Sequence, residues 1–240
     1  MTKHLRFVTL LLIAALLVQG WPGVPGIKAS NASAAGAAPL FADDFDGGLT
    51  RWDLFGSTAW QVQGTGAAAK LAGSTTATSP QRAVVKAASL PYSSTDYALA
   101  FDAQGDRFRV MFRYSSGTSY YFLEFKTGHW VELWKYPNSS ASSQVGSSVD
   151  IAAVLPGFDL SARHDYRLNV LGSQFTLSVD GTAVTTFSDS SLTAGGVGFA
   201  LRSVGPAVSL SVDRVEVLPA DGPAGGDLSI VHTPVAGVSY

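Results

Sequence analysis

Tyr166-Arg-Leu-Asn-Val-Leu-Gly-Ser-Gln-Phe-Thr-Leu-Ser-Val-Asp-Gly181 packs two strands and two turns into 16 residues. Tyr166, Leu168 and Val170 alternate with Arg167 and Asn169, and Phe175, Leu177 and Val179 alternate with Thr176, Ser178 and Asp180. Alternation with period two turns one face of a strand to a core and the other to water. Gly172-Ser173 separates the two runs. Asp180-Gly181 suits a type I′ hairpin turn, because both central residues of that turn take positive φ.

The same pattern continues on both sides. Tyr97, Leu99 and Phe101 alternate with small or polar neighbours, as do Val197, Phe199 and Leu201, and Val208, Leu210 and Val212. Phe108, Val110 and Phe112 alternate with Arg107, Arg109, Met111 and Arg113. Turn residues punctuate the runs at Gly105-Asp106, Ser115–Gly117, Thr127-Gly128, Gly195-Gly196 and Gly205-Pro206. Leu155 to Leu160 reads as a loop, and the Ser-rich stretch Ser139 to Ser148 as a mobile loop. No run long enough for a helix carries a helical stripe. Ten or more antiparallel strands without helices imply an all-β, two-sheet antiparallel sandwich or jelly roll.

Composition agrees. Only 14% of the 240 residues are charged, against roughly 25% in ordinary domains. Glu occurs three times, at Glu124, Glu132 and Glu216, whereas helical proteins use Glu, Lys and Leu freely. A net charge of −2 argues against a nucleic-acid binder that works by neutralising phosphates. The absence of cysteine excludes a disulfide scaffold, a thiolate zinc site and a Cys nucleophile.

The chain ends read as appendages. Lys3, His4 and Arg6 precede an apolar run from Phe7 to Val18 of 12 residues. That is short of the roughly 20 needed to span a bilayer and suits a signal peptide. Ser30-x-Ala32 and Ala32-x-Ala34 are candidate cleavage sites. The expected organisation is a signal peptide over 1–34, a leader over 35–39, one sandwich over 40–218, a Pro/Gly linker over 219–227 and a tail over 228–240. The mature chain is then exported, without a membrane anchor, at a net charge of −5. The tail either adds to a sheet edge or begins a further domain.

Four passages together resemble the concanavalin A-like, laminin-G-like jelly-roll modules of secreted bacterial carbohydrate-active proteins. These are Phe41-Ala-Asp-Asp-Phe-Asp46 with Leu49-Thr-Arg-Trp52 and Trp60; Phe112-Arg-Tyr114 with Ser119-Tyr-Tyr-Phe122; Tyr166 to Val170 with Leu177 to Gly181; and Gly195-Gly-Val-Gly-Phe199 with Val212 to Val217. The resemblance implies the sandwich. It leaves the function open, because this fold hosts lectins, binding modules and hydrolases. Glucanases of this fold carry Glu-x-Asp-x-Glu on one strand, since alternate residues share a face. No such triplet occurs here, so no catalytic residue is assigned.

The outward face of one hairpin is the candidate ligand site. If Thr127, Gly128 and His129 form its turn, Glu124 and Glu132 stand opposite each other. Like charges so placed destabilise a sheet unless a ligand, a cation or a neighbouring Arg compensates them. Tyr120, Glu124, Trp130, Glu132 and Trp134 share that parity, with Arg109 and Arg113 on the strand before and Arg202 on a late strand. Sugars need this mixture: rings to stack on and charged planar groups for paired hydrogen bonds. A bulge shifting the parity by one residue would turn half of these aromatics into core. Trp52 and Trp60, each beside a turn, are assigned to structure.

The resemblance also implies a structural calcium between the first and last strands, with Asp213 and Asp44 as candidate ligands. Asp43-Asp44-x-Asp46-Gly47 is not an EF-hand, because the closing Glu is missing. A salt bridge from Asp213 to Arg214 or Arg51 is the other reading of its place in an apolar strand. The expected function is an exported carbohydrate-binding module that holds a polysaccharide or terminal sugar on the concave sheet, attached to a larger protein. The alternatives are a glycoside or 3-keto-glycoside hydrolase using Glu124 or Glu132, and a structural or protein-binding spacer.

Overall fold

The computed structural model describes residues 38–56 and 60–221. The expected signal peptide, most of the leader and linker, and the tail over 228–240 lie outside the described residues. Within them the chain forms strands and two short 3₁₀ turns. The first seven strands are β1 (Phe41–Asp43), β2 (Trp52–Phe55), β3 (Trp60–Gln63), β4 (Lys70–Thr75), β5 (Gln81–Val85), β6 (Tyr97–Gly105) and β7 (Phe108–Ser116). They are followed by β8 (Ser119–Lys126), β9 (Trp130–Pro137), β10 (Ser143–Asp150) and β11 (His164–Leu171). The last four are β12 (Gln174–Val179), β13 (Thr182–Ser188), β14 (Gly196–Leu201) and β15 (Val208–Pro219).

Two antiparallel sheets result. One has the order β13-β12-β11-β6-β15-β4-β3, with β1 also paired to β15; the other runs β10-β9-β8-β7-β14-β5-β2. The expected sandwich is present, and among the described residues no helix is long and apolar enough to cross a membrane. The opening sequence stretch forms β11 and β12, with Tyr166 opposite Val179 and Val170 opposite Phe175. Asp180 and Gly181 both take positive φ, 48° and 78°, as their turn requires.

The alternating residues meet between the sheets in one large core, where Phe101 stacks on Tyr166 at 5.0 Å and Phe108 on Phe125 at 4.8 Å. Trp52 and Trp60 are buried in it. The Trp52 indole Nε1 donates to Asp43 Oδ2 at 2.9 Å, which ties β1 to β2.

One expectation is corrected. The Ser-rich stretch expected to be a loop contributes β10, an exposed edge strand on β9 with a register shift between Val145 and Val149. Ser and Gly have weak strand preference, so the pairing partner rather than the local sequence makes this strand.

Candidate functional site

Strands β7 and β8 are buried at seven successive positions each. A strand with one face in a core should alternate, so the outer face of the second sheet is also covered. It carries a second apolar cluster of Val84, Met111, Tyr114, Tyr120, Phe122 and Ala200, with Tyr92, Trp134 and Tyr136 packed against it. The rings touch in series: Tyr92 with Tyr114 at 5.9 Å, Tyr114 with Tyr120 at 5.6 Å, Tyr120 with Tyr136 at 4.9 Å, and Phe122 parallel to Trp134 at 6.3 Å.

The hairpin register matches the expectation. Glu124 faces Glu132 across β8 and β9, and Phe122 faces Trp134. Across the sheet, Arg82, Ala200, Arg109, Glu124 and Glu132 form one cross-strand row. Trp130, Glu132, Trp134 and Tyr136 occupy alternate positions of β9, opposite in parity to the core residues Val131 and Leu133. Successive side chains on one strand face stand roughly 6.6 Å apart.

Each carboxylate has its own cations. Glu124 Oε1 accepts from Arg107 Nη2 at 2.8 Å and Nε at 3.1 Å, and from Arg109 Nη2 at 3.0 Å and Nε at 3.2 Å. The Arg109 guanidinium lies 4.4 Å from the centre of the Phe122 ring. Glu132 Oε2 pairs with Lys126 Nζ at 2.6 Å and accepts from Trp134 Nε1 at 2.9 Å, while Oε1 accepts from Ser148 at 2.6 Å. Burial pushes the Glu124 carboxyl up, but the Arg109 charge and the Arg107 hydrogen bond outweigh it and hold it below its usual range. At Glu132 burial again pushes up, and bonds from Lys126, Ser148 and Trp134 win. Both groups therefore stay ionised. A glycosidase general acid requires the opposite shift.

The candidate residues divide. Arg109, Glu124, Trp130, Glu132 and Trp134 lie on the expected face. Trp130 is 42% exposed at its edge. Tyr120 has the expected parity but is 2% exposed, beneath Tyr114, Phe122 and Tyr136, so neither ring face is free for a ligand. Arg202 follows β14 and donates from Nε to Thr78 O at 2.8 Å, away from both carboxylates.

Arg113 is a correction. Two residues of β7, Phe112 and Arg113, oppose the single Val197, because Gly196 pairs Tyr114 and Gly198 pairs Met111. This bulge gives Arg113 a φ of 47° and turns its side chain inward. Its guanidinium donates to the carbonyls of Leu192 at 2.7 Å, Thr95 at 3.1 Å and Gly172 at 2.5 Å. It is a buried strut, and Tyr114 takes the outward place. Gly195 must be glycine here, since a Cβ would stand 2.2 Å from the Arg113 carbonyl carbon.

Residues absent from the sequence reading also build this face. Tyr136 continues the β9 alternation and was legible from it. Arg82, whose guanidinium lies 5.8 Å from the Tyr120 ring centre, arrives from β5, and Tyr92 from the loop after it. Nothing local in their sequence announces either.

Asp213 pairs through Oδ2 with Arg163, a partner other than the Arg214 or Arg51 anticipated, while its Oδ1 is buried without a hydrogen bond; exposed Asp44 accepts from the Asp46 N–H at 3.4 Å. Among the described residues no group of three His, Asp or Glu is placed to hold a metal.

No protein-family model and no curated protein matches this sequence. Among solved structures the chain is similar to the carbohydrate-binding module CBM66 from Bacillus subtilis. Identity is 16% and the TM-score 0.52, over 69% of this chain and 95% of the module. It is similar to a glycoside hydrolase family 16 endo-glucanase from Bacteroides ovatus at 14% identity and TM-score 0.54, over 75% of this chain and 100% of the enzyme. A structure described as a native glycosidic hydrolase gives 14% and 0.55, over 76% and 97%. These likenesses define the fold as a concanavalin A-like jelly-roll sandwich.

Proposed function

We propose that this chain is a carbohydrate-binding module, with the outer face of β7, β8 and β9 as its sugar site. The observation that carries the reading is the line Trp130, Glu132, Trp134 on β9 beside the Arg107–Glu124–Arg109 ion-pair cluster. Trp134 lies parallel to Phe122, and its Nε1 is held by Glu132. A ring fixed in this way loses little freedom when a pyranose or furanose stacks on it. The partly exposed Lys126 and the Ser148 hydroxyl supply polar contacts at its rim. The ionised, ion-paired state of both Glu supports retention of a sugar rather than its hydrolysis.

Two of the similar structures, one a carbohydrate-binding module and one an endo-glucanase, support the same class of ligand. The basic start and 12-residue apolar run support export. The Pro/Gly-rich stretch after Leu218 supports attachment to a further domain.

Affinity electrophoresis through gels containing fructan, β-glucan or xylan tests the site. Trp130→Ala with Trp134→Ala should sharply reduce the retardation of the parent protein in at least one gel at unchanged circular dichroism. Retardation equal to the parent's in every gel would refute the site. No retardation of the parent in any gel would favour the protein-binding spacer.

A further inference from the structure

A cavity of about 530 Å³ lies on the other sheet, remote from Trp134. Its form follows from side-chain length. The outward positions of β4 and β15 include Ala72, Ser74, Ser209 and Ser211, all short. The neighbouring strands carry Gln61 and Gln63 on β3 and Gln104 on β6. The register aligns Gln61, Ala72, Ser211 and Gln104 in one row across four strands. Short residues in the middle and amides at the sides make a trough across a face that would otherwise be flat.

The chemistry of the trough is neutral and polar. Gln61, Gln63 and Gln104 each donate and accept hydrogen bonds. Ser211 lines the trough, and its Oγ is buried beneath the surface without a partner, a condition that native structures mostly avoid. Lys70 and Asp106 contribute one charge of each sign, and Ser209 Oγ donates to Asp106 Oδ2 at 2.5 Å. No ring and no large apolar surface lines the cavity, which disfavours a lipid or an apolar peptide. With one charge of each sign, nothing selects an ion. The matching ligand carries many hydroxyls and little charge, and the volume falls within the roughly 300–1,000 Å³ of small-molecule sites.

The trough continues. A second cavity of about 280 Å³ shares Gly105, Asp106 and Ser161 with it and reaches Thr127, Gly128 and His129 in the β8–β9 turn. Exposed Trp130 follows that turn directly.

We propose that this trough is a second carbohydrate site, for a neutral oligosaccharide, sharing no residue with the site around Trp134. Its test is a titration of the isotope-labelled protein with cellohexaose, xylohexaose and a short fructan, followed by amide shifts in NMR. At least one of these should shift the amides of Gln61, Ala72, Gln104 and Ser211, and Trp134→Ala should leave those shifts in place. Gln61→Ala with Gln104→Ala should weaken the trough's apparent Kd about tenfold, the size expected for two lost hydrogen-bonding groups. Ala72→Phe, which fills the trough from its water-facing side, should abolish the shifts there and spare those near Trp134.

The proposal is overturned if shifts stay confined to the Trp134 face, or if no sugar moves a trough amide at millimolar concentration. It is also overturned if both trough variants titrate like the parent. Loss of binding in the Trp130/Trp134 variant alone, with trough shifts intact, bears on the first site only. The spectrum of each variant reports its fold directly.

Discussion

Replacing Asp102 with Asn should stabilise this domain, and only above about pH 4. Asp102 on β6 stands opposite Asp165 of β11 on one side and Arg214 of β15 on the other. Burial and then the hydrogen bond and charge of Asp165 push its carboxyl up, against Arg214 and Arg163, from 3.8 to about 6. The unfolded chain releases that proton near pH 4, whereas the folded chain keeps it to about pH 6. Stability is therefore full below pH 4 and is lost as pH rises through the folded value. At 1.36 kcal/mol per tenfold change in proton affinity, the loss approaches about 3 kcal/mol. The side chain is 24% exposed, and solvent screening reduces this to about 1–2 kcal/mol. Asn keeps a donor for Asp165 and never ionises. Thermal unfolding followed by circular dichroism from pH 3.5 to 8 should show parent and variant equal at the acid end. At pH 7 the variant should melt about 4 °C higher, at the few degrees per kcal/mol typical of this size. A gain independent of pH, or a less stable variant at pH 8, would show that attraction to Arg214 and Arg163 dominates and would refute the reasoning.

Three further outcomes follow from the ion pairs. Glu124→Gln strands two guanidinium groups, one of them buried, and should cost about 3 kcal/mol in urea unfolding; a loss below 1 kcal/mol would mean that water replaces the carboxylate. Arg113→Met removes the donors to three carbonyls and should cost about 3 kcal/mol, with no effect on sugar retention at temperatures where the variant is folded. An Arg113 variant that stays stable but loses sugar would restore that residue to the ligand site. Calcium or EDTA should leave the melting temperature unchanged, because the Arg163 guanidinium already neutralises Asp213 through Oδ2; a rise of several degrees with calcium would refute this and show that a cation displaces Arg163.

The sandwich was legible because period-two alternation is a local property. Tyr166 to Val170 and Phe175 to Val179 declare their buried face without reference to anything distant. The Glu124–Glu132 pair was legible for a related reason: a three-residue turn sets the register of its hairpin. The parity of Trp130, Trp134 and Arg109 then followed. Strand β10 was not, since Ser143 to Asp150 becomes a strand only because β9 offers an edge.

What the sequence by itself determined is the fold class, the hairpin and one face of it. The tertiary structure decided the rest. A bulge opposite Val197 inverted Arg113 and brought Tyr114 out, and no alternation rule reveals an extra residue before the partner strand is known. The structure also placed Arg107 and Arg109 on Glu124, Lys126 on Glu132 and Arg163 on Asp213. Ion-pair partners are chosen by which strands become neighbours, 17 residues apart for Arg107 and Glu124 and 50 for Arg163 and Asp213. The trough on the opposite sheet belongs wholly to this second kind. Gln61, Ala72, Ser211 and Gln104 are unremarkable in sequence, and only the sheet order sets them in a row.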